Sequence, residues 1–291
     1  MHKYMRAIGF SKVTDHEGLK EILTEAVKEH NSCVASNVEE NVHLVNLSKN
    51  VSPSLGISVC GDYRSDRQFA CDYYYPYLQS YIKSVDEEVQ VERHASQNSY
   101  AGMCEEVNFG ILLIFYLQNQ TAYFQARELN DLQNYYISLT GLSVGGKILL
   151  PIEKNVVQRN SERVLAHKRT KLLREARDGN EDAIETLTME DMNTFNAICQ
   201  HIQHEDLYSI VDTSFIPSGV ESDHYTVLGE IIDCRQERNI YTNEEINVLT
   251  LKSNDITIEI AINSLDLQGE PAVGRRFKGE VWLQGTVHVV H

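Results

Sequence analysis

The sequence predicts an α+β chain in three parts: an antiparallel, sheet-rich N-terminal domain carrying one packed helix (1–155), a helical connector (156–204) and a small all-β, barrel-like C-terminal domain (205–291). Three observations predict it. Between about 42 and 152 the apolar residues come in short runs broken by turn residues, the mark of strands. From 156 to 204 they recur every seven or eight positions, the mark of a narrow helical seam. After His224 about five short strand-like runs follow one another, as in a small barrel of the oligonucleotide-binding type or a compact sandwich. At 291 residues the chain exceeds the size at which one core keeps growing comfortably, so more than one domain is expected.

The first element is a helix. Thr14 and Glu17 form a capping-box pattern, in which hydroxyl and carboxylate each satisfy a free backbone donor. Leu19, Ile22, Leu23, Ala26 and Val27 then line one face, and Asn31-Ser32 ends it. Strands are expected at Val42 to Leu47 and at Leu55 to Val59. The stretch Phe69 to Tyr81, with five tyrosines and a proline, reads as another strand or an edge element. Phe109 to Leu117 is a continuous apolar run, expected as a central strand covered on both faces. Asn119-Gln120 turns the chain into Thr121 to Gln125. Tyr135 to Leu142 and Lys147 to Ile152 flank Gly145-Gly146, a hairpin signal.

In the connector, Val156, Val157, Val164, Leu165, Leu172, Leu173 and Ala176 form the seam. Gly179-Asn180 stops that helix and caps the next, with Glu181 and Asp182 suited to its first turn. Thr188 and Asp191 open a third helix. Beyond it, strands are expected at His224 to Ile232, Ile246 to Leu251, Ile256 to Ile262 and Phe277 to Val290, the last divided near Gly285.

Composition bounds the function. The formal charge is −16, so the chain as a whole repels phosphate backbones and anionic membranes, which disfavours nucleic acid as a partner. The six cysteines show no Cys-x-x-Cys pair, which argues against a zinc ribbon or a thioredoxin-type centre. Scattered cysteines suit a reducing compartment. Met1 to Phe10 lacks the apolar stretch of a signal peptide. The nine apolar residues from Phe109 to Leu117 are about half of what spans a bilayer as a helix. A cytoplasmic protein without membrane contact is expected.

Several patterns could carry chemistry. Gly141-Leu142-Ser143-Val144-Gly145 matches the nucleophile-elbow formula. That formula needs a helix after the serine, whereas Lys147 to Pro151 reads as a strand, so a turn is the better account. Gly269 and Gly274 have phosphate-loop spacing, but Arg275 and Arg276 stand where lysine and a hydroxyl belong. Arg275, Arg276 and Lys278 are half of the bases after residue 204 and lie near Trp282, the only tryptophan. Strand alternation places Arg276, Lys278, Glu280 and Trp282 on one face and Phe277, Val281 and Leu283 on the other. Arg275, Arg276, Lys278 and Trp282 are therefore the candidate ligand site, suited to an anion, a nucleotide or an acidic partner; its bland counterpart is a strand face whose arginines pair with nearby acids.

The first connector helix is basic (Arg159, Arg163, Lys168, Arg169, Lys171, Arg174, Arg177), yet no aromatic residue beside it would stack a base, which favours docking within or between chains. Cys199, His201, His204 and Glu205 cluster at a helix end without zincin spacing, and ordinary histidines near a helix C-terminus account for them. Asp62, Asp66 and Asp72 lack the glycine of a calcium loop. The tyrosines from 73 to 81 could stack a sugar or base, with sheet packing as the commoner use. No catalytic residue, metal ligand or cofactor is assigned.

The opening Met1 to Ser11, the phrase from Ala176 to Asp191 and the closing Gly274-Arg275-Arg276-Phe277-Lys278-Gly279 together resemble a family of similar length from Gram-positive anaerobic bacteria, known only as a domain of unknown function. The resemblance runs the whole chain. It implies a bacterial cytosolic protein and transfers no catalytic residue.

The expected function is non-catalytic binding or scaffolding, through protein partners or self-association. No nucleophile, base and oxyanion donor converge in the sequence. An enzyme or binding protein for an anionic small molecule is the alternative, and nucleic-acid binding through the C-terminal β part the third.

Overall fold

A computed structural model describes residues 2–39, 42–63, 68–85, 88–93, 99–106, 111–129, 131–152, 168–169, 171–176, 178–201, 213–219, 222–253 and 256–290. The chain begins with a 3-10 turn (Lys3–Ile8) and α1 (His16–Lys28), followed by β1 (Ser32–Glu39), β2 (Val42–Asn50), β3 (Leu55–Tyr63) and β4 (Phe69–Leu78). Then come β5 (Val89–Arg93), β6 (Tyr100–Glu106), β7 (Ile111–Leu117), α2 (Gln120–Glu128), β8 (Tyr135–Ser143) and β9 (Gly146–Leu149). After α3 (Glu181–His201) the chain closes with β10 (Ser214–Pro217), β11 (His224–Arg238), β12 (Glu245–Ser253), β13 (Ile256–Asn263), β14 (Leu267–Gln268) and β15 (Arg276–Val289).

Among the described residues the strands form two sheets. β1 to β4 make an antiparallel meander, and a larger mixed sheet runs β10-β11-β12-β13-β8-β15-β7-β6-β5. Because β11 also pairs with β15, the strands β11, β12, β13, β8 and β15 close into a five-stranded ring. The ring has one parallel contact, β13 with β8. Four of its strands come from the C-terminal part, and β8 comes from before the connector. Closure removes the open edges that would template wrong pairing. Ile258, Ile260, Ile262, Phe277 and Val281 are fully buried there. At Gly141 a side chain would collide with Val281, 2.1 Å from the Cβ position, so only glycine fits that close approach.

The N-terminal turn joins the parts. Tyr4, Met5, Ala7, Ile8 and Phe10 are buried, packed where β4, β8 and β13 meet it. Residues more than 200 positions away hold its main chain: Asn239 Nδ2 donates to the Ile8 carbonyl (2.8 Å) and Thr242 Oγ1 to the Gly9 carbonyl (2.6 Å). Ser11 donates to Glu244, and Arg6 pairs with Asp266. Since backbone groups must be satisfied when buried, these side chains permit an irregular segment to sit inside.

Local expectations are borne out with corrections. The helix α1 is present, but its cap is Asp15, whose carboxylate accepts from Gly18 N (2.8 Å), not Thr14. Asn180 caps α3 as expected, accepting from the amides of Asp182 and Ala183. No third helix starts at Thr188: α3 continues through it, with the Thr188 hydroxyl bonded back to the Ile184 carbonyl. Thr121 to Gln125 is helical, within α2, where Tyr123 and Phe124 turn inward.

Gly145-Gly146 does not close a paired hairpin. β9 pairs with β15 and β14 rather than β8, and β15 carries β9 beside its first residues and β8 beside its last. β15 itself is undivided at Gly285, which is there because the Phe115 ring packs where a Cβ would stand, 2.3 Å away. β7 lies between β15 and β6 as a central strand, but Leu112 is exposed, so only part of it is covered on both faces. Among the described residues no helix is long and apolar enough to cross a membrane.

Candidate functional site

Between the meander and the ring lies a cavity of about 820 Å³, within the usual range for small-molecule sites. Three lines of structure build its walls. The N-terminal turn brings His2, Lys3 and Tyr4; β4 brings Cys71 to Tyr75; β7, β11 and β15 bring Tyr116, His224 and Trp282. A bulge in β4 sets the second group. Gly61 pairs with Cys71 and Cys60 with Tyr73, so Asp72 is the extra residue and side chains around it are re-aimed.

The floor is aromatic. Trp282 stacks on Tyr4 (5.3 Å between centroids, 23°) and meets Tyr116 at 5.1 Å and His2 at 4.7 Å. Tyr116 in turn packs on Tyr75 at 4.8 Å. Tyr75 donates to the Gln118 carbonyl, Gln120 Nε2 holds the Tyr73 hydroxyl, and Tyr74 accepts from the His2 amide (2.8 Å). Burial raises the pKa of Tyr4, Tyr73, Tyr75 and Tyr116, since an unsolvated phenolate is costly, so these hydroxyls stay protonated.

The polar rim centres on Asp223. One oxygen accepts from Trp282 Nε1 (2.7 Å) and the other faces His224 Nδ1 (2.7 Å). A carboxylate only accepts, so Nδ1 carries the proton in that contact. His2 is different. Burial depresses its pKa to about 4, only partly offset by Asp223, so its ring is neutral at pH 7. Its Nδ1 is buried with no hydrogen-bond partner among the described residues.

This arrangement equips the cavity to bind. Cys71, the one thiol on the wall, has its pKa raised by burial and then by Asp72, which keeps it protonated and a poor nucleophile. Ser143, the elbow serine, is fully buried and donates to the Glu280 carbonyl (2.7 Å). It is the last residue of β8, before the bend at Val144-Gly145. Among the described residues no group of three or more His, Cys, Asp or Glu could hold a metal; His204, Glu205 and Asp66 lie outside the described residues, as do Arg159, Arg163 and Arg177. Lys168 of the connector docks on Glu190 of α3 (3.0 Å).

The four residues singled out in the sequence are split. Arg275 Nη1 donates to the Glu270 carbonyl (2.6 Å) beside the turn at Gly274. Arg276 is buried, its Nε donating to the Leu150 carbonyl (3.0 Å). Lys278 stands opposite Lys147 of β9. Trp282 is in the cavity wall, four residues of extended strand beyond Lys278, about 13 Å on. The alternation itself holds: Phe277, Val281 and Leu283 are fully buried on the opposite face. Sequence reasoning missed Asp223, His2 and Tyr116. The tyrosine run was the available signal, and it supplies both sheet packing (Tyr75, Tyr77) and cavity wall (Tyr73 to Tyr75).

A protein-family profile described as "Domain of unknown function, E. rectale Gene description (DUF3881)" matches residues 5–285. The chain belongs to this family. The match takes in the cavity residues from β4 to Trp282 and begins just after His2, Lys3 and Tyr4, in agreement with the full-length resemblance. Neither the curated proteins nor the solved structures give a match. The family description assigns no activity, and the site must be argued from its own chemistry.

Proposed function

We propose that this family member is a non-catalytic binding protein whose ligand is a small molecule held in the aromatic cavity. The observation that carries the reading is the junction itself: a cavity of about 820 Å³ floored by Trp282, Tyr4 and Tyr116, with the unpartnered His2 Nδ1 beside it. Aromatic walls with a few placed polar groups are the common make-up of ligand pockets. A buried polar atom without a partner is costly, which a ligand or water would relieve. The protonated thiol and phenols favour binding over chemistry. Free cysteines among the described residues (Cys33, Cys60, Cys71, Cys104, Cys234) support a cytoplasmic setting.

Trp282 is the sole tryptophan, so its fluorescence reports on the cavity. Titration of the protein with a panel of small metabolites should give saturable quenching and a rise in melting temperature for one chemical class. Both responses should vanish in Tyr116→Ala. Flat curves across the panel, in a protein whose circular dichroism is that of a folded chain, would overturn the reading.

The anion-binding alternative at Arg275, Arg276 and Lys278 keeps one supporting observation. Lys278 sits directly across from Lys147, which gathers two ammonium groups at the start of β15. Phosphate-dependent stabilisation lost in Lys278→Gln would favour it. The nucleic-acid reading has less support, since the N-terminal turn packs on two strands of the ring, β13 and β8.

A further inference from the structure

We infer that the aromatic cavity selects a cationic ligand of the alkylammonium class, with Lys3 as the internal cation that such a ligand displaces. The inference rests on the binding reading above and names its ligand chemistry.

Three features point the same way. Tyr4 gives one face to Trp282 and, at the mouth, the Lys3 ammonium lies 4.8 Å over its ring. A ring face is the negative side of the aromatic quadrupole, so the wall already attracts a cation, and methylated ammonium groups are the ligands that such cages recognise. Among the described residues that line the cavity, two carboxylates, Asp72 and Asp223, stand against one ammonium, Lys3. An anion would meet a net repulsion there; a cation would not. His2, neutral at pH 7 with burial as the cause, adds no positive charge, and His224 is turned to Asp223 through Nδ1.

The ligand class follows from size as well as sign. The rings bury apolar surface, which suits methyl or methylene groups around a nitrogen rather than a hydrated metal ion. Lys3 is exposed and tethered to the cavity mouth. Removing its charge frees the Tyr4 face and lowers the repulsion a second cation meets. Neutralising Asp72, also exposed, does the reverse. The two substitutions therefore act with opposite sign on a cation and with the same magnitudes reversed on an anion, and neither touches the core.

The test is Trp282 fluorescence titration of the full chain at constant ionic strength with choline and tetramethylammonium, with the uncharged choline isostere 3,3-dimethylbutan-1-ol, and with inorganic phosphate. Expected is saturable quenching by the two cations, with the isostere weaker by about tenfold. Lys3→Gln should tighten the cations about two- to tenfold, and Asp72→Asn should weaken them by a similar factor. An isostere that binds as well as choline overturns the cationic class and leaves the cavity reading standing. Phosphate binding that Lys3→Gln weakens overturns it in the same way. No saturable response from any probe, in the parent and in Lys3→Gln alike, overturns the cationic class; the binding reading itself falls only if the wider metabolite panel is flat as well.

Discussion

Gly9 shows how much a single residue can settle. Its φ of +92 lies in the left-handed region, and a Cβ there would stand 2.8 Å from Asn239 Cβ. Gly9→Ala should therefore combine backbone strain with a clash against a fully buried asparagine, at a cost of about 2 kcal/mol. Urea unfolding monitored by circular dichroism would measure it, and a change below about 0.5 kcal/mol would contradict the fit. Residues of this kind were partly legible beforehand. The opening phrase that contains Gly9 marked the family, yet nothing in it announced that Tyr4 to Phe10 would be buried. The segment has no helical or alternating period, because its partners are side chains over 200 positions away. In the sequence Trp282 stands out for its company of arginines, and the fold gives it different company. Strand alternation told which face it occupies but not what covers that face.

At the scale of elements, one of the fastenings between the meander and the ring is a turn. Glu237 on β11 accepts from Ser52 Oγ (2.6 Å), Ser54 N (3.0 Å) and Ser54 Oγ (2.6 Å) at the β2–β3 turn, and from Arg235 Nε (3.1 Å). Burial would raise its pKa, but these donors outweigh that and hold it below the usual carboxylate value. Glu237→Ala leaves four donors short of an acceptor and should destabilise by about 2–4 kcal/mol. Hydrogen exchange should then show the meander opening ahead of the ring. Equal exchange in both would mean that the turn does not control the opening of the meander.

Helices and most strands could be read from local pattern: α1, β3, β4, β12 and β13 fall close to where periodicity puts them. Pairing could not. β9 leaving β8 for β15, and β8 entering a ring whose other strands lie beyond the connector, are choices between partners of equal local character. They are decided by which rings and glycines interlock, as at Phe277 over Gly146.

For the molecule as a whole, pH is the simplest probe. The folded pKa of His2 is depressed to about 4 from 6.5 by burial, with Asp223, Lys3 and the amino terminus as charged neighbours and His224 as a titratable one. Above 6.5 both folded and unfolded chains carry it neutral, and its burial costs nothing in proton terms. As pH falls through 6.5 the unfolded chain takes up a proton that the folded one refuses, so stability declines until about pH 4. His288, also depressed by burial, acts in the same direction. Denaturation between pH 7 and 4.5 should show a slope shallower in His2→Gln than in the parent. The reverse order would contradict the neutral, buried His2. The same protonation puts positive charge into the cavity, so choline affinity should fall with stability over that range.

The ring needs β15 to close, and its partners are spread from β7 to β11. During synthesis the segment Lys3–Ile8 emerges long before β13 and the Asn239–Thr242 turn that seat it. Met5, Ile8 and Phe10 stay exposed until Asn239, Thr242 and the final strand have emerged. Such long-range closure makes folding late and slow relative to local helices, and it leaves an apolar segment for a chaperone to shield.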